Sequence, residues 1–241
     1  MLVSDQRLEQ IERIDLFRGL PRTVREALGG RSRLHEFERG EFLFIAGQPA
    51  HSLHALVQGH VKVVREMNDG QEVILRLLQP GEIIGPATCC GEEIHSTSAI
   101  SLSQVTALLI PANDVHRMAH DHPEFALALV HDVGERLREA DDRIAELQAE
   151  RAERRVARAL LRLASKAGKR SEQGIEVRIP LSRQNLAEYS GTTLTTVSRI
   201  LSSWDREGLV IAGRQRVTII NTRELALIAE DLRHHRATPL R

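Results

Sequence analysis

Cysteine and aromatic residues are almost missing from this chain, and each shortage closes off a class of function. The 241 residues include two cysteines, one Trp, one Tyr and five Phe. The cysteines, Cys89 and Cys90, are neighbours that cannot bridge without strain, which excludes a disulfide-stapled scaffold. With so few aromatic platforms for base stacking, single-stranded or RNA binding is disfavoured. No long uncharged apolar run occurs and Met1–Gln10 is polar, so neither a membrane span nor a signal pattern is read, and a soluble cytoplasmic protein is expected. No Cys-x-x-Cys pair, phosphate loop or nucleophile elbow is present either. The vicinal cysteines beside Glu92, Glu93 and His95 come nearest to a thiol-redox or metal site, and the expectation is a protein that is not an enzyme.

Net charge is also lacking, because 33 basic residues face 33 acidic ones. That balance hides two opposite halves. Residues 1–150 carry 15 basic and 24 acidic residues, whereas residues 151–241 carry 18 and 9, so −9 is followed by +9. A basic C-terminal part can neutralise phosphates and release counterions while the acidic part turns away from a duplex.

What is present begins with the stretch Leu181–Leu201, read as two short helices around a glycine turn. Ser182 caps the first helix and Leu186 and Ala187 face inward. Gly191 permits the turn, and Val197, Ile200 and Leu201 form the buried stripe of the second helix. Thr195, Ser198 and Arg199 are left free to reach base edges in a helix-turn-helix. A β-hairpin follows, Leu209–Ile211 and Val217–Ile220, with arginines at its tip suited to phosphates.

Upstream, glycine turns punctuate short β-like segments at 42–45, 53–57, 61–64, 73–78 and 105–110, which indicates a sandwich or closed roll. The period then changes. Val130, Val133, Leu137, Ala140, Ile144 and Leu147 recur every three or four residues with charges between them, an a/d seam suited to a partner helix. Two-fold pairing would set two recognition helices in successive major grooves. Glu150–Arg155 is charged enough to act as a hinge, and a further helix over 154–166 buries Val156, Leu160 and Leu163 until Gly168. From Arg233 the tail reads as a frayed polar end. The predicted fold is therefore α+β: a β-roll (jelly roll) over 1–122, a dimerisation helix over 123–150 and a winged helix-turn-helix over 151–241.

Four segments in this order resemble the CRP/FNR family of transcription regulators: Gly40-Glu-Phe-Leu-Phe-Ile-Ala-Gly47, Leu56-Val-Gln-Gly-His-Val-Lys-Val63, Pro80-Gly-Glu-Ile-Ile-Gly85, and Thr196-Val-Ser-Arg-Ile-Leu201 with Glu207-Gly-Leu-Val210. The resemblance implies a homodimer whose cyclic-nucleotide-binding-like roll senses a signal and whose C-terminal domains read a palindromic promoter site on double-stranded DNA, with RNA polymerase as a further partner and activation as the expected outcome. It gives Arg199 the role of reading guanine and Ser198 that of contacting the neighbouring base pair. Thr195 stands where most members carry glutamate, which exchanges a carboxylate for a hydroxyl and a methyl of looser selectivity. Arg183, Thr193, Thr196, Arg214 and Arg216 fall at positions expected to hold phosphates.

The sensing half departs from the family pattern. Cyclic-AMP-binding members carry a glutamate after the cassette glycine and an arginine on the cyclic phosphate. Here Gly85 is followed by Pro86, and Glu92–Ser98 contains no arginine, so cyclic AMP is disfavoured. Residues 1–30 hold no cysteine, which disfavours the iron–sulfur cluster of oxygen-sensing members. The pattern is most similar to the dissimilatory nitrate respiration branch, through Phe17, Gly47-Gln-Pro-Ala-His51, Asp69-Gly-Gln-Glu72 and Pro123-Glu-Phe-Ala-Leu-Ala-Leu129. That branch implies nitric oxide or redox sensing. Haem is then a candidate cofactor with His95, His116, His120, His122 and His131 as possible ligands, and Cys89–Cys90 is a candidate thiol sensor.

Overall fold

The computed structural model describes residues 5–85 and 93–232. Its contacts divide the chain into two units, Met1–Glu66 with Leu75–Ala140 and Met67–Ile74 with Asp141–Arg241. The division falls inside the longest helix.

The first unit opens with helices α1 (Asp5–Glu12), α2 (Asp15–Arg18) and α3 (Arg22–Arg31), and continues into strands β1 (Arg33–Phe37), β2 (Phe42–Phe44), β3 (Ser52–Gln58), β4 (Val61–Glu66), β5 (Glu72–Leu78), β6 (Ile83–Ile84), β7 (Ser98–Ser101) and β8 (Val105–Pro111). Two four-stranded sheets result, in the orders β1-β8-β3-β6 and β2-β7-β4-β5. β3 pairs antiparallel with β8, Leu53 opposite Ile110, Ala55 opposite Leu108 and Leu56 opposite Ala107. Side chains alternate across a strand, so β3 serves two cores at once. Leu53, Ala55, Leu108 and Ile110 pack against Phe17, Val24, Leu28 and Phe125 of the helices, while Leu56 and Ala107 join Phe37, Phe44, Val61, Ile84 and Val105 inside the roll. The Phe17 and Phe125 rings meet with centroids 6.0 Å apart. Both are fully buried, and each such burial contributes about 2–3 kcal/mol.

Helix α4 (Ala112–Asp121) follows β8, and Pro123 begins α5 (Pro123–Ala149), where a missing amide costs nothing. On α5 only Phe125 and Leu129 are fully packed. Arg136 is held between Asp132, at 2.5 Å, and the Ile83 carbonyl, at 2.8 Å.

The second unit contains α6 (Ala152–Ala167), β9 (Gly168–Ser171), β10 (Gly174–Val177), α7 (Arg183–Ser190), α8 (Leu194–Arg206), β11 (Val210–Gly213), β12 (Arg216–Ile219) and α9 (Thr222–Ala229). Its sheet runs β11-β12-β10-β9. Val156, Leu160 and Leu163 of α6 and Trp204 of α8 are buried, and Trp204 Nε1 donates to Glu153 at 3.2 Å. The α+β architecture of roll, long helix and winged helix-turn-helix is the one expected. The break after α5 is narrower than the hinge read from the charges: only Glu150 and Arg151 are non-helical, and Arg155 lies within α6. The polar tail from Arg233 lies outside the described residues.

Candidate DNA-reading surface

Local chemistry builds the two-helix unit from its ends inward. Ser182 caps α7 by accepting the Asn185 amide at 3.0 Å, which satisfies one of the donors that a helix start leaves open. Gly191 ends α7 at φ 63°, ψ 42°, a left-handed conformation that glycine adopts without steric cost. Thr193 then caps α8: its hydroxyl accepts the Thr196 amide at 3.2 Å and lies 2.9 Å from the Thr196 hydroxyl. Two of the proposed phosphate contacts are therefore tied to each other at the helix start, where the open amides and the helix dipole favour an anion.

Along α8, Val197, Ile200, Leu201 and Trp204 are buried, and the opposite face carries Thr195 and Arg199 in the open with Ser198 half-buried between them. Spacings of three and four residues put Thr195, Ser198 and Arg199 on one face. Arg183 is exposed at the first position of α7. The β11–β12 turn is Arg214–Gln215, with Gln215 at φ 58°, and Arg214 is exposed at its tip. Arg216 is on β12 rather than at the tip, and its Nε lies 3.0 Å from Glu176 of β10. Beside the recognition face a cavity of about 390 Å³ is lined by Arg151, Arg154, Thr196, Arg199, Ile200 and Ser203 among others.

The seam residues are open to solvent. Val130 is 68% exposed, Leu137 62%, Ile144 53% and Leu147 48%, with Val133 and Ala140 also on the surface. Apolar side chains at this spacing, uncovered on a 27-residue helix, form an unpartnered stripe.

The sensor candidates do not assemble into a ligand set. Cys89 and Cys90 lie outside the described residues. His95 is buried with its ring stacked on Phe44, centroids 3.8 Å apart, and does not project from the roll. His120 lies 3.0 Å from Asp121, His131 3.3 Å from Glu135 and His122 3.8 Å from Glu124, all as surface or partly exposed pairs. Among the described residues no three His, Cys, Asp or Glu side chains converge as metal ligands. Haem needs an imidazole nitrogen turned toward a slot wide enough for a porphyrin. His95 lies against Phe44, and His116, His120 and His131 stand on the surface, so none of these four imidazoles faces an enclosed slot.

The sequence pattern did not single out His54. It is 5% exposed in the roll, its ring 5.6 Å from that of Phe44, and its pKa is lowered to about 4 by burial first and by the neighbouring His95 second. A histidine inside an apolar strand gives no periodicity signal of its own. In the sequence Arg143 is one of the charges flanking the seam and Arg155 the end of the charged hinge, and neither position signals the contacts it makes.

Known proteins share both halves of this arrangement. Residues 34–122 match the cyclic nucleotide-binding domain and residues 154–228 the Crp-like helix-turn-helix domain. The cyclic AMP receptor protein of Thermus thermophilus is 33% identical over 216 residues, 89% of this chain and 95% of that protein. A CRP-like cAMP-activated global transcriptional regulator of Mycobacterium tuberculosis is 26% identical over 218 residues, 90% of this chain and 97% of its own length. The solved structure of a CRP-family transcriptional regulator from Thermus thermophilus superposes with a TM-score of 0.70 at 26% identity, covering 81% of this chain and 96% of that one. Relatives matched along nearly their whole length, together with the two domain matches in this order, place it plainly: the protein belongs to the CRP/FNR family of transcription regulators, with a DNA-binding helix-turn-helix.

Proposed function

We propose that the protein acts as a homodimer that reads a two-fold-related duplex site. Thr195, Ser198 and Arg199 contact bases, and Arg183, Thr193, Thr196, Arg214 and Arg216 hold phosphates. Val130, Val133, Leu137, Ala140, Ile144 and Leu147 join the two copies. The observation that carries this reading is the division of α8 into a fully buried stripe and an opposite face ending in the exposed guanidinium of Arg199. That group suits the paired acceptors of guanine. Selection from a random duplex library should return a two-fold consensus with half-site centres roughly 10 base pairs, or a multiple, apart. A library that returns no consensus sinks the reading.

The finer proposal is that the signal is not cyclic AMP, although the relatives named above include a cAMP-activated regulator and a cyclic AMP receptor protein. It is supported by the absence of an arginine from the described stretch 93–98, so that no guanidinium there meets a cyclic phosphate. Of the two alternatives the sequence raised, a diatomic gas held by haem has the weaker support, because His95 is stacked on Phe44 and His116, His120 and His131 are exposed. A redox signal at the vicinal thiols Cys89–Cys90 is the version we retain. Calorimetry should show no micromolar cyclic AMP binding. Oxidant should change DNA affinity in the wild type and not in Cys89→Ser/Cys90→Ser, and an oxidant response that survives in the double variant rejects the thiol reading.

A further inference from the structure

The end of α7 is unusually well supplied with cations. Its Ala187 carbonyl accepts the amides of Gly191 and Thr192, the latter at 3.0 Å, and its Leu186 carbonyl accepts the Ser190 hydroxyl at 2.6 Å. The carbonyls of Tyr189 and Ser190, the last two residues of α7, and of Gly191 just after them each accept from a guanidinium. Arg143 Nη2 donates to Tyr189, and its guanidinium carbon stands 4.4 Å from the centroid of the Tyr189 ring. Arg155 donates through Nε to Ser190 at 3.1 Å and through Nη2 to Gly191 at 2.9 Å, while its Nη1 donates to the Glu150 carbonyl at 2.6 Å. Open carbonyls and the negative end of the helix dipole both favour cations at this end of α7.

The donors come from two different helices, Arg143 from the last turns of α5 and Arg155 from the first turn of α6. Behind them, Glu146 makes a two-pronged pair with Arg162, and Glu150 meets Arg158 at 2.9 Å and Arg154 at 3.2 Å. The Glu146 and Glu150 side chains are only 13% and 9% exposed, so water screens these pairs little. Leu147 closes onto the turn from the same side: a Cβ on Gly191 would meet Leu147 Cδ2 at 2.4 Å. Arg143 and one methyl of Leu147 thus face the helix-turn-helix, while Ile144 and the rest of Leu147, which is 48% exposed, belong to the seam.

We propose that Arg143 and Arg155 are positioning residues for DNA reading: they fasten the turn Tyr189–Gly191 to the end of α5 and so fix the direction in which α8 is presented. The inference rests on the dimeric reading proposed above. In a dimer paired along α5, two such clamps set the distance and rotation between the recognition helices, which the non-helical Glu150–Arg151 link alone would leave loose. A fixed pair of heads meets both half-sites in one event; loosened heads each read a half-site, but at a lower effective concentration for the second.

The test uses the full-length protein, the duplex it selects, and the same duplex with two base pairs inserted between the half-sites, which rotates one against the other by roughly 70°. Wild type should prefer the original duplex by about tenfold or more. Arg143→Leu/Arg155→Leu should remain dimeric, bind the original duplex about tenfold more weakly, and lose most of the preference between the two. In parallel, amide hydrogen exchange at residues 191–196 should rise about tenfold in the variant while the α9 amides keep their rates. If the leucine variant does not fold, Arg143→Lys/Arg155→Lys carries the same expectation, because a single ammonium cannot fork across two carbonyls. An unchanged preference in a folded variant, or equal weakening on both duplexes, overturns the proposal. A wild type that selects no duplex counts against the DNA-reading proposal instead, and the clamp is then decided by exchange alone: unchanged protection at residues 191–196 rejects it.

Discussion

Gly191 meets two demands that no other residue can satisfy together. Its φ of 63° costs an L-residue about 1 kcal/mol, and its missing Cβ leaves the space that Leu147 occupies. Gly191→Ala should therefore lower stability by about 2 kcal/mol, and adding Leu147→Ala should restore part of that loss although it removes a packing side chain; thermal melts of the two singles and the double read the coupling. At Arg199 the expected loss is in binding. Arg199→Ala should cost about 1–3 kcal/mol per half-site and flatten discrimination at one guanine, read by competition against duplexes changed at that base. His54 titrates on folding. Its pKa falls from 6.5 to about 4 because burial, then His95, oppose the imidazolium. The folded state thus binds fewer protons than the unfolded one between those values. Stability is intact above pH 6.5 and is lost as pH falls toward 4, by about 3 kcal/mol for a shift of this size. Replacing the imidazole, as in His54→Leu, should flatten the fall in melting temperature between pH 7 and pH 4.5. An equally steep fall in the variant assigns the acid sensitivity elsewhere.

Among the elements, α5 has two kinds of surface, and their energetics differ. Phe125 and Leu129 pack into the N-terminal unit, whereas Leu137 and Ile144 are more than half exposed in one copy of the chain. A charge at Leu137 or Ile144 should leave the isolated chain folded and oppose pairing by several kcal/mol, because it would be buried against its own symmetry mate. Sedimentation of Leu137→Glu should show monomers that bind DNA poorly, and an unchanged dimer would move the interface elsewhere. The seam was legible because its period is long and regular. The same holds for β3, β4, β5 and β8, whose apolar runs stand out between glycine turns, and for the caps Ser182 and Gly191. Other elements left little trace. β1 is exposed at four of its five positions, so it lacks the alternation of a half-buried strand. β6 is two residues long and buried on both faces. β7 fills its two inward positions with the small Ala99 and with Ser101, whose hydroxyl donates to the Glu38 carbonyl, a contact with a residue distant in sequence. α9 was the readable omission: Asn221 accepts the Glu224 amide at 3.0 Å, and Asn-x-x-Glu before Leu225 and Ile228 is a helix-start signature. The guanidinium clamp could not be read at all, since its acceptors are backbone carbonyls whose positions depend on tertiary packing.

For the whole molecule, a net charge of zero is the wrong quantity, because the +9 of residues 151–241 is what a duplex would meet. Affinity should fall steeply with salt, with a log–log slope of about −0.9 for each phosphate neutralised. The two wing arginines should contribute differently to that slope. Arg214 is exposed at the tip of its turn, and Arg214→Ala should weaken all sequences alike and make the slope shallower by about 1. Arg216 already has an anion, the Glu176 carboxylate at 3.0 Å, in a pair whose side chains are 71% and 33% exposed. Such a pair is worth only about 0–1 kcal/mol, so a phosphate can take the guanidinium from it, but the carboxylate left behind then faces the phosphate it lost the arginine to. Glu176→Gln removes that repulsion. It should tighten binding to specific and random duplexes by a similar factor, about two- to fivefold at low salt, with the gain fading as salt rises. Gel-shift titrations of both variants at several salt concentrations separate the cases. If Glu176→Gln leaves random-duplex affinity unchanged while Arg214→Ala weakens it, Arg216 is a strand-to-strand tie of the wing and only the tip touches the DNA backbone.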